Sequence, residues 1–176
     1  SDVESTISNR NTINPTVNYF HDIGGIIKGD GKNALVIGTR SAALGSNSIA
    51  LGRGAFAMED NSFGIGSYSY ANKMNSMAIG TSSRALAENA ITLGAGSVTM
   101  TNASSSTVIG TKSAVAGENS SLVGSNSQIF GSNSLIFGNN TNVLKNGNNS
   151  SDNNIAIGND ISIASGVTNS MAYGAG

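Results

Sequence analysis

Aromatic and guanidinium side chains return at a fixed spacing in this chain, and together they could bind the surface of another protein. Phe56, Tyr70 and Arg84 follow one another at intervals of 14 residues. Tyr68 lies two residues before Tyr70, and Arg40 occupies the position of Tyr68 two intervals earlier. Exposed aromatic residues beside a guanidinium are typical of protein-binding hot spots. We predict these five residues as receptor contacts; the alternative is a ladder that only stabilises neighbouring strands.

Catalytic or metal-binding chemistry has no comparable support in the sequence. The chain contains one histidine, His21, and no cysteine. A general base needs a positioned partner and a thiolate metal site needs cysteines, so neither is indicated. The aspartates do not recur at the spacing of a stacked calcium-binding repeat. We therefore predict no catalytic residue, no cofactor and no metal ion.

The composition excludes several classes of protein. Only 11% of the residues are charged and the formal net charge is −1, so the basic surface that nucleic acids require is missing. No apolar run is long enough to span a membrane as a helix. The hydrophobic fraction of 38% depends largely on alanine, which favours a thin structure over a thick globular core. Regular isoleucine, leucine and valine argue against disorder and favour a solenoid whose coils bury one another.

A glycine marks each repeat of the chain. These glycines are Gly38, Gly52, Gly66, Gly80, Gly94, Gly110, Gly124, Gly138, Gly158 and Gly174. Most are 14 residues apart, and an asparagine stands five residues before each except Gly110, where Ser105 takes its place. Glycine and asparagine both tolerate left-handed backbone conformations. A fixed period of this kind predicts stacked coils that turn at these residues.

The segment before each glycine is predicted to be a short strand with two apolar faces. In the first such segment, Leu35 and Ile37 point to one face and Val36 to the other. Because no charged residue occupies the middle position, we predict that one face lines the coil and the other contacts a second subunit. The predicted subunit contacts are the middle residues Val36, Ala50, Ala78, Thr92, Val108, Leu122 and Ile136.

A second strand follows each glycine and is expected to face solvent on one side. Its inward positions hold small residues such as Ser41 and Ala43, whereas the alternate positions are often polar. Two strands in 14 residues suit a flattened roll, and stacking places equivalent residues about 4.8 Å apart. The predicted fold class is therefore all-β, a parallel β-roll or β-solenoid of about 14-residue repeats.

The repeat has an irregular start and two interruptions. Residues 1–32 lack the period and are predicted to form an N-terminal cap or a degenerate first turn, while residues 33–176 form the repeats. Two extra residues fall near 100–106 and six near 144–153. The longer insertion is polar and is expected to bulge as a loop. It supplies Lys145 as a sixth candidate receptor contact, with a tolerated surface insertion as the alternative.

The run NSMAIGTSSRALAENAITLG, from Asn75 to Gly94, resembles the head repeats of trimeric autotransporter adhesins, the YadA-like family. The resemblance extends over most of the chain, from Asn33 to Gly174. It implies a left-handed parallel β-roll that assembles as a homotrimer around a threefold axis. It also implies exposure at the outer-membrane surface of a Gram-negative bacterium. Attachment to the membrane is expected only through a C-terminal anchor that this chain lacks.

As a YadA-like head, the chain is expected to bind host proteins rather than to catalyse a reaction. Two partner classes stay open: a cell-surface receptor, such as an immunoglobulin-like molecule of the CEACAM family, and a matrix protein such as collagen. A broad regular face would suit collagen, whereas a local aromatic group favours a folded receptor. The alternatives are a β-solenoid enzyme acting on polysaccharide and an ice-binding solenoid. An ice-binding face would need an unbroken threonine row, and other residues interrupt Thr39, Thr81 and Thr111.

Overall fold

Two parallel β-sheets run along the molecule and face each other across a thin interior. The computed structural model describes residues 19–21, 28–29 and 31–176, with side chains for the last of these ranges. One sheet has 11 strands and the other has 10, and the chain passes from one sheet to the other after every strand. Within the described residues there is no helix. The predicted parallel β-solenoid is therefore confirmed.

The two sheets differ in strand length: one has strands of three residues, with five in β19 and β21, and the other has strands of two. The long-strand sheet consists of β1 (Tyr19–His21), β3 (Leu35–Ile37), β5 (Ile49–Leu51), β7 (Phe63–Ile65), β9 (Met77–Ile79), β11 (Ile91–Leu93), β13 (Thr107–Ile109), β15 (Ser121–Val123), β17 (Leu135–Phe137), β19 (Ile155–Asn159) and β21 (Met171–Ala175). The short-strand sheet consists of β2 (Lys28–Gly29), β4 (Ala42–Ala43), β6 (Phe56–Ala57), β8 (Tyr70–Ala71), β10 (Arg84–Ala85), β12 (Val98–Thr99), β14 (Ala114–Val115), β16 (Gln128–Ile129), β18 (Asn142–Val143) and β20 (Ser162–Ile163).

Neighbouring strands pair at equivalent positions of the repeat. Ala78, for example, pairs with Thr92 of the next coil and with Gly64 of the previous one. At the N-terminal end, residues 19–21 pair with β3 and residues 28–29 with β4. The rest of the cap or degenerate turn predicted for 1–32 lies outside the described residues, apart from 31–32, so that domain boundary stays a prediction.

Two kinds of turn connect the sheets. We call the connection from a long strand to the next short strand the first corner, and the connection back to a long strand the second corner. From β3 onwards every first corner has four residues except the last, which has two because β19 is longer, and the standard second corner has five. Three second corners are longer, at 100–106, 144–154 and 164–170. All extra residues between β3 and β21 therefore lie on one edge of the roll.

Asparagine side chains link the second corners of successive coils. Asn47, Asn61 and Asn75 have φ angles of 55–56°, in the left-handed region that asparagine tolerates better than most residues. The amide of Asn61 donates a hydrogen bond to Oδ1 of Asn75 over 3.2 Å, and Asn75 donates to Asn89 over 3.0 Å. The repeated asparagine therefore both permits the turn and connects one coil to the next.

The repeated glycine is required by the close approach of stacked first corners. Gly110 has a φ of 143°, which side chains rarely adopt, and a Cβ there would lie 1.6 Å from the carbonyl oxygen of Gly124. No other residue fits such a position without moving the backbone. The period visible in the sequence is therefore the period of this contact between coils.

The interior between the sheets is narrower in the N-terminal half than in the C-terminal half. The N-terminal coils fill it with residues such as Ala50 and Ala78, and a Cβ on Gly64 would lie 2.3 Å from the carbonyl oxygen of Phe56. The C-terminal coils fill it with valine, leucine and isoleucine, including the fully buried Leu122 and Ile136. The available width therefore limits the size of inward side chains.

The prediction that the middle residues of the long strands contact a second subunit is wrong. Each of them has an exposed fraction of 0% in the single chain because it points between the two sheets. These residues are Val36, Ala50, Ala78, Thr92, Val108, Leu122 and Ile136. A side chain without accessible surface in one chain cannot touch another chain. The outward face of the long strands instead carries the flanking residues, such as Ile79 and Ile109.

Candidate binding surfaces

Phe56, Tyr70 and Arg84 form a continuous row on the outer face of the short-strand sheet. Phe56 pairs with Tyr70 and Tyr70 with Arg84 in adjacent strands. The two rings meet edge to face, with centroids 6.1 Å apart and an interplanar angle of 77°. The Tyr70 hydroxyl donates to Oδ1 of Asn72 over 2.8 Å, which orients the ring. We call these three residues the aromatic row.

Tyr68 stands at the first corner beside the aromatic row. Its φ is 58° and its exposed fraction is 55%. The guanidinium carbon of Arg53 lies 5.9 Å from the centroid of its ring, within the range of a cation–π contact. The sequence analysis grouped Tyr68 with Arg40 and Arg84 but did not select Arg53. The clue was Gly54, one period before Tyr68, where a Cβ would lie 2.8 Å from the tyrosine ring.

The structure separates the last two predicted receptor contacts. Arg40 is exposed at the first corner with a φ of 57°, two coils from Tyr68 on the same edge. Lys145 is exposed in the 144–154 connection, which belongs to the second corner. Arg40 therefore extends the edge on which Tyr68 stands, whereas Lys145 lies on the opposite edge of the roll.

Asp152 attaches the 144–154 connection to the coil before it. Its Oδ1 accepts a hydrogen bond from the backbone N–H of Ser132 over 2.8 Å, and its Oδ2 accepts one from the hydroxyl of Ser150, also over 2.8 Å. These two donors, the Ser132 N–H foremost, hold the pKa of the Asp152 carboxyl below its usual range. The ionised carboxylate is therefore the form that fixes this loop.

Removing the Asp152 carboxylate is expected to loosen the loop. In Asp152→Ala the Ser132 amide loses its acceptor, and its hydrogen exchange at neutral pH should accelerate about tenfold, whereas Asp152→Asn keeps an acceptor oxygen and should change it less. Because the folded pKa lies below the unfolded value, the stabilisation is complete at neutral pH and disappears as the pH falls through the folded pKa. Unchanged exchange in Asp152→Ala would contradict this role.

The outer face of the long-strand sheet is apolar along most of the roll. Single-chain exposed fractions include 41% for Ile37, 42% for Ile109 and 59% for Phe137. The flanking residues of the other long strands are mostly half-buried leucine, isoleucine, phenylalanine and methionine. Monomeric proteins rarely expose a continuous apolar surface of this kind. The subunit contact that sequence analysis assigned to the middle positions therefore fits this face.

A scan against protein-family models finds the YadA head domain repeat at residues 30–55, 60–83 and 71–97. Residues 30–55 and 60–97 therefore carry repeats of the YadA head type. A comparison with curated proteins finds no match. Beyond residue 97, the even-numbered strands from β12 to β20 continue the short-strand sheet. The odd-numbered strands from β13 to β21 continue the long-strand sheet, and the pairing stays parallel in both. The same two-sheet solenoid therefore continues past the matched repeats.

The YadA head repeats imply an adhesin-type function. Their family is one of adhesin domains and not of enzymes, and a trimeric assembly is consistent with it. YadA-like heads are exposed at the surface in outer-membrane autotransporters. Among the described residues, none belongs to a helix that could cross a membrane.

Proposed function

We propose that this YadA-like head assembles as a homotrimer at the surface of a bacterium and binds a protein of the host. The observation that carries this proposal is the apolar outer face of the long-strand sheet, which is uncovered in a single chain. Burying such a face stabilises an assembly by about 25 cal/mol for each Å² removed from water. Three rolls arranged side by side with these faces toward a common axis would cover all three of them.

This arrangement leaves the short-strand sheet on the outside of the trimer. The aromatic row then faces the surroundings in three copies, with Tyr68 and Arg40 along the edge beside the next subunit. Three copies of one site bind a multivalent surface more strongly than a single copy does. The localised aromatic group favours a folded receptor, such as an immunoglobulin-like molecule of the CEACAM family, over a long regular partner such as collagen.

The 144–154 connection is a second, smaller candidate surface. Insertions in stacked repeats often lie on a binding face, and this one presents the exposed Lys145. The solenoid fold does not favour the two alternative functions. The first-corner threonines Thr39, Thr81 and Thr111 are separated by other residues, so they make no flat ice-binding row.

Tyr70→Ala is expected to weaken receptor binding at least tenfold while the roll stays folded. Tyr70 is the centre of the aromatic row, and loss of a central aromatic anchor typically has an effect of this size. The measurement is surface plasmon resonance of the trimer against host receptor ectodomains and matrix proteins. Gln128→Ala is the matched control, since Gln128 is exposed at the equivalent position of another short strand. Full binding by Tyr70→Ala would exclude the aromatic row as the contact.

A further inference from the structure

Charged side chains in residues 31–176 are divided between the two edges of the roll. The first corners carry the basic residues Arg40, Arg53 and Lys112 and one acid, Asp160, while Arg84 belongs to the aromatic row on the neighbouring sheet face. The second corners carry the acids Glu59, Asp60, Glu88, Glu118 and Asp152. Three lysines also lie there, and one of them, Lys73, is paired with Glu59 at 3.0 Å. We call these the basic edge and the acidic edge.

Opposite charges lie on the two edges of one coil at two levels of the roll. The pairs are Arg53 with Asp60, and Lys112 with Glu118. Successive coils are separated by one strand spacing, about 4.8 Å, so the members of a pair differ in height by less than one coil. The second corner has its standard five residues at both levels, and the insertions fall in other coils. Nothing at these levels therefore blocks access to the acidic edge.

The charges at these levels are available to an external partner. Within residues 31–176, no ion pair involves Arg53, Asp60, Lys112 or Glu118, and all four side chains are exposed. Asp60 is partly engaged, since its Oδ1 accepts a hydrogen bond from the backbone N–H of Ser46 over 2.8 Å. The guanidinium of Arg53 contacts the Tyr68 ring, and a guanidinium in such a contact can still donate N–H bonds to a carboxylate. Lys73 and Glu59, in contrast, already form an ion pair with each other within the acidic edge of one chain.

We propose that the basic edge of each subunit docks on the acidic edge of the next, so that a second copy of this chain completes the ion pairs. This inference rests on the trimer of the proposed function. Rotation about an axis parallel to the roll preserves height, and in a cyclic assembly it brings one edge of a subunit to the opposite edge of its neighbour. Lys112 then meets Glu118 of the partner subunit, and Arg53 meets Asp60 of the partner subunit, at matched heights.

The matched heights give the interface a register along the roll. An apolar face alone would let two rolls slide past each other by one coil with little loss of contact. A slip of one coil would separate each basic residue from its acidic counterpart. Charge complementarity of this kind contributes mainly to specificity and correct alignment. The apolar face thus supplies most of the affinity, and the two edges select the register.

A charge-exchange experiment on the full chain tests this contact. The variants are Lys112→Glu, Glu118→Lys and the double variant, which restores opposite charges at every junction. Each single variant places like charges at all three junctions, so the trimer association constant should fall on the order of a hundredfold. The double variant should recover to within about threefold of the unaltered chain. Sedimentation velocity over a range of protein and salt concentrations gives these constants.

The outcomes separate this inference from the trimer itself. Gln128→Glu, which adds a negative charge on the exposed face of a short strand, is the control and should leave assembly unchanged. A lower association constant in each single variant, together with its recovery in the double variant, supports the contact between edges. If neither single substitution lowers the association constant of the trimer, this inference alone is overturned. The same holds if the double variant associates no more strongly than the single variants. An unaltered chain that stays monomeric at every concentration overturns the trimer and this inference with it.

Discussion

A chain carrying Ala78→Glu is expected to be unfolded, or destabilised by more than about 3 kcal/mol, rather than merely monomeric. Ala78 has no exposed surface and lies between the two sheets, where no basic group of the described chain could pair with a carboxylate. The added side chain also needs volume that the narrow interior lacks, as the close contact at Gly64 indicates. Thermal unfolding followed by circular dichroism measures the loss.

The matched control for this substitution is Ala114→Glu. Ala114 occupies the outward position of a short strand and is half-buried, so its glutamate can reach water. This variant should keep the β-sheet spectrum and most of the melting temperature. A folded Ala78→Glu chain with the stability of Ala114→Glu would show that Ala78 does not face the interior.

The double variant Ile109→Glu, Phe137→Glu is expected to convert the trimer to folded monomers. Both side chains are more than two-fifths exposed in the single chain, at 42% and 59%, so the roll itself should tolerate the change. In the trimer the same positions would place six carboxylates in an apolar contact, and the association constant should fall more than about a thousandfold. Multi-angle light scattering gives the mass, and Gln128→Glu serves again as the control. A persistent trimer would mean that another surface makes the contact.

These two predictions distinguish the two faces of the long strands. The first substitution acts inside one chain and the second acts between chains. If the faces were assigned the other way round, Ala78→Glu would dissociate the subunits and the double variant would unfold them. The pair of experiments therefore tests the face assignment directly, whatever receptor the head binds.

The order of the strands could be predicted from the sequence because the repeat is local. The glycine of each repeat sits where stacked first corners approach too closely for a Cβ, and Asn61 and its equivalents sit where φ is positive. Each requirement concerns one residue and its backbone, so it appears directly as a residue type at a fixed spacing. Strand positions, turn positions and parallel stacking followed from that spacing, whereas the longer second corner at 164–170 was not predicted.

The candidate binding residues were predictable only in part. The row from Phe56 to Arg84 followed from the register, since residues one period apart become neighbours in a stacked sheet. The contact between Arg53 and Tyr68 did not, because Arg53 is not one period from Tyr68 and meets it only through the shape of the corner. The matched heights of Lys112 and Glu118 likewise required knowing which corner each residue occupies.

By itself, the sequence determined that this chain coils with a period of 14 residues and turns at glycine and asparagine. Only the tertiary structure decided which face of the long strands points inward. Both faces are apolar, so the alternation of side chains along a strand identifies two faces but does not show which one points inward. The inward face is decided by the distance between the sheets, which in the N-terminal coils leaves room for Ala50 and Ala78 but not for isoleucine or leucine. The larger residues therefore face outward, where a neighbouring subunit can cover them.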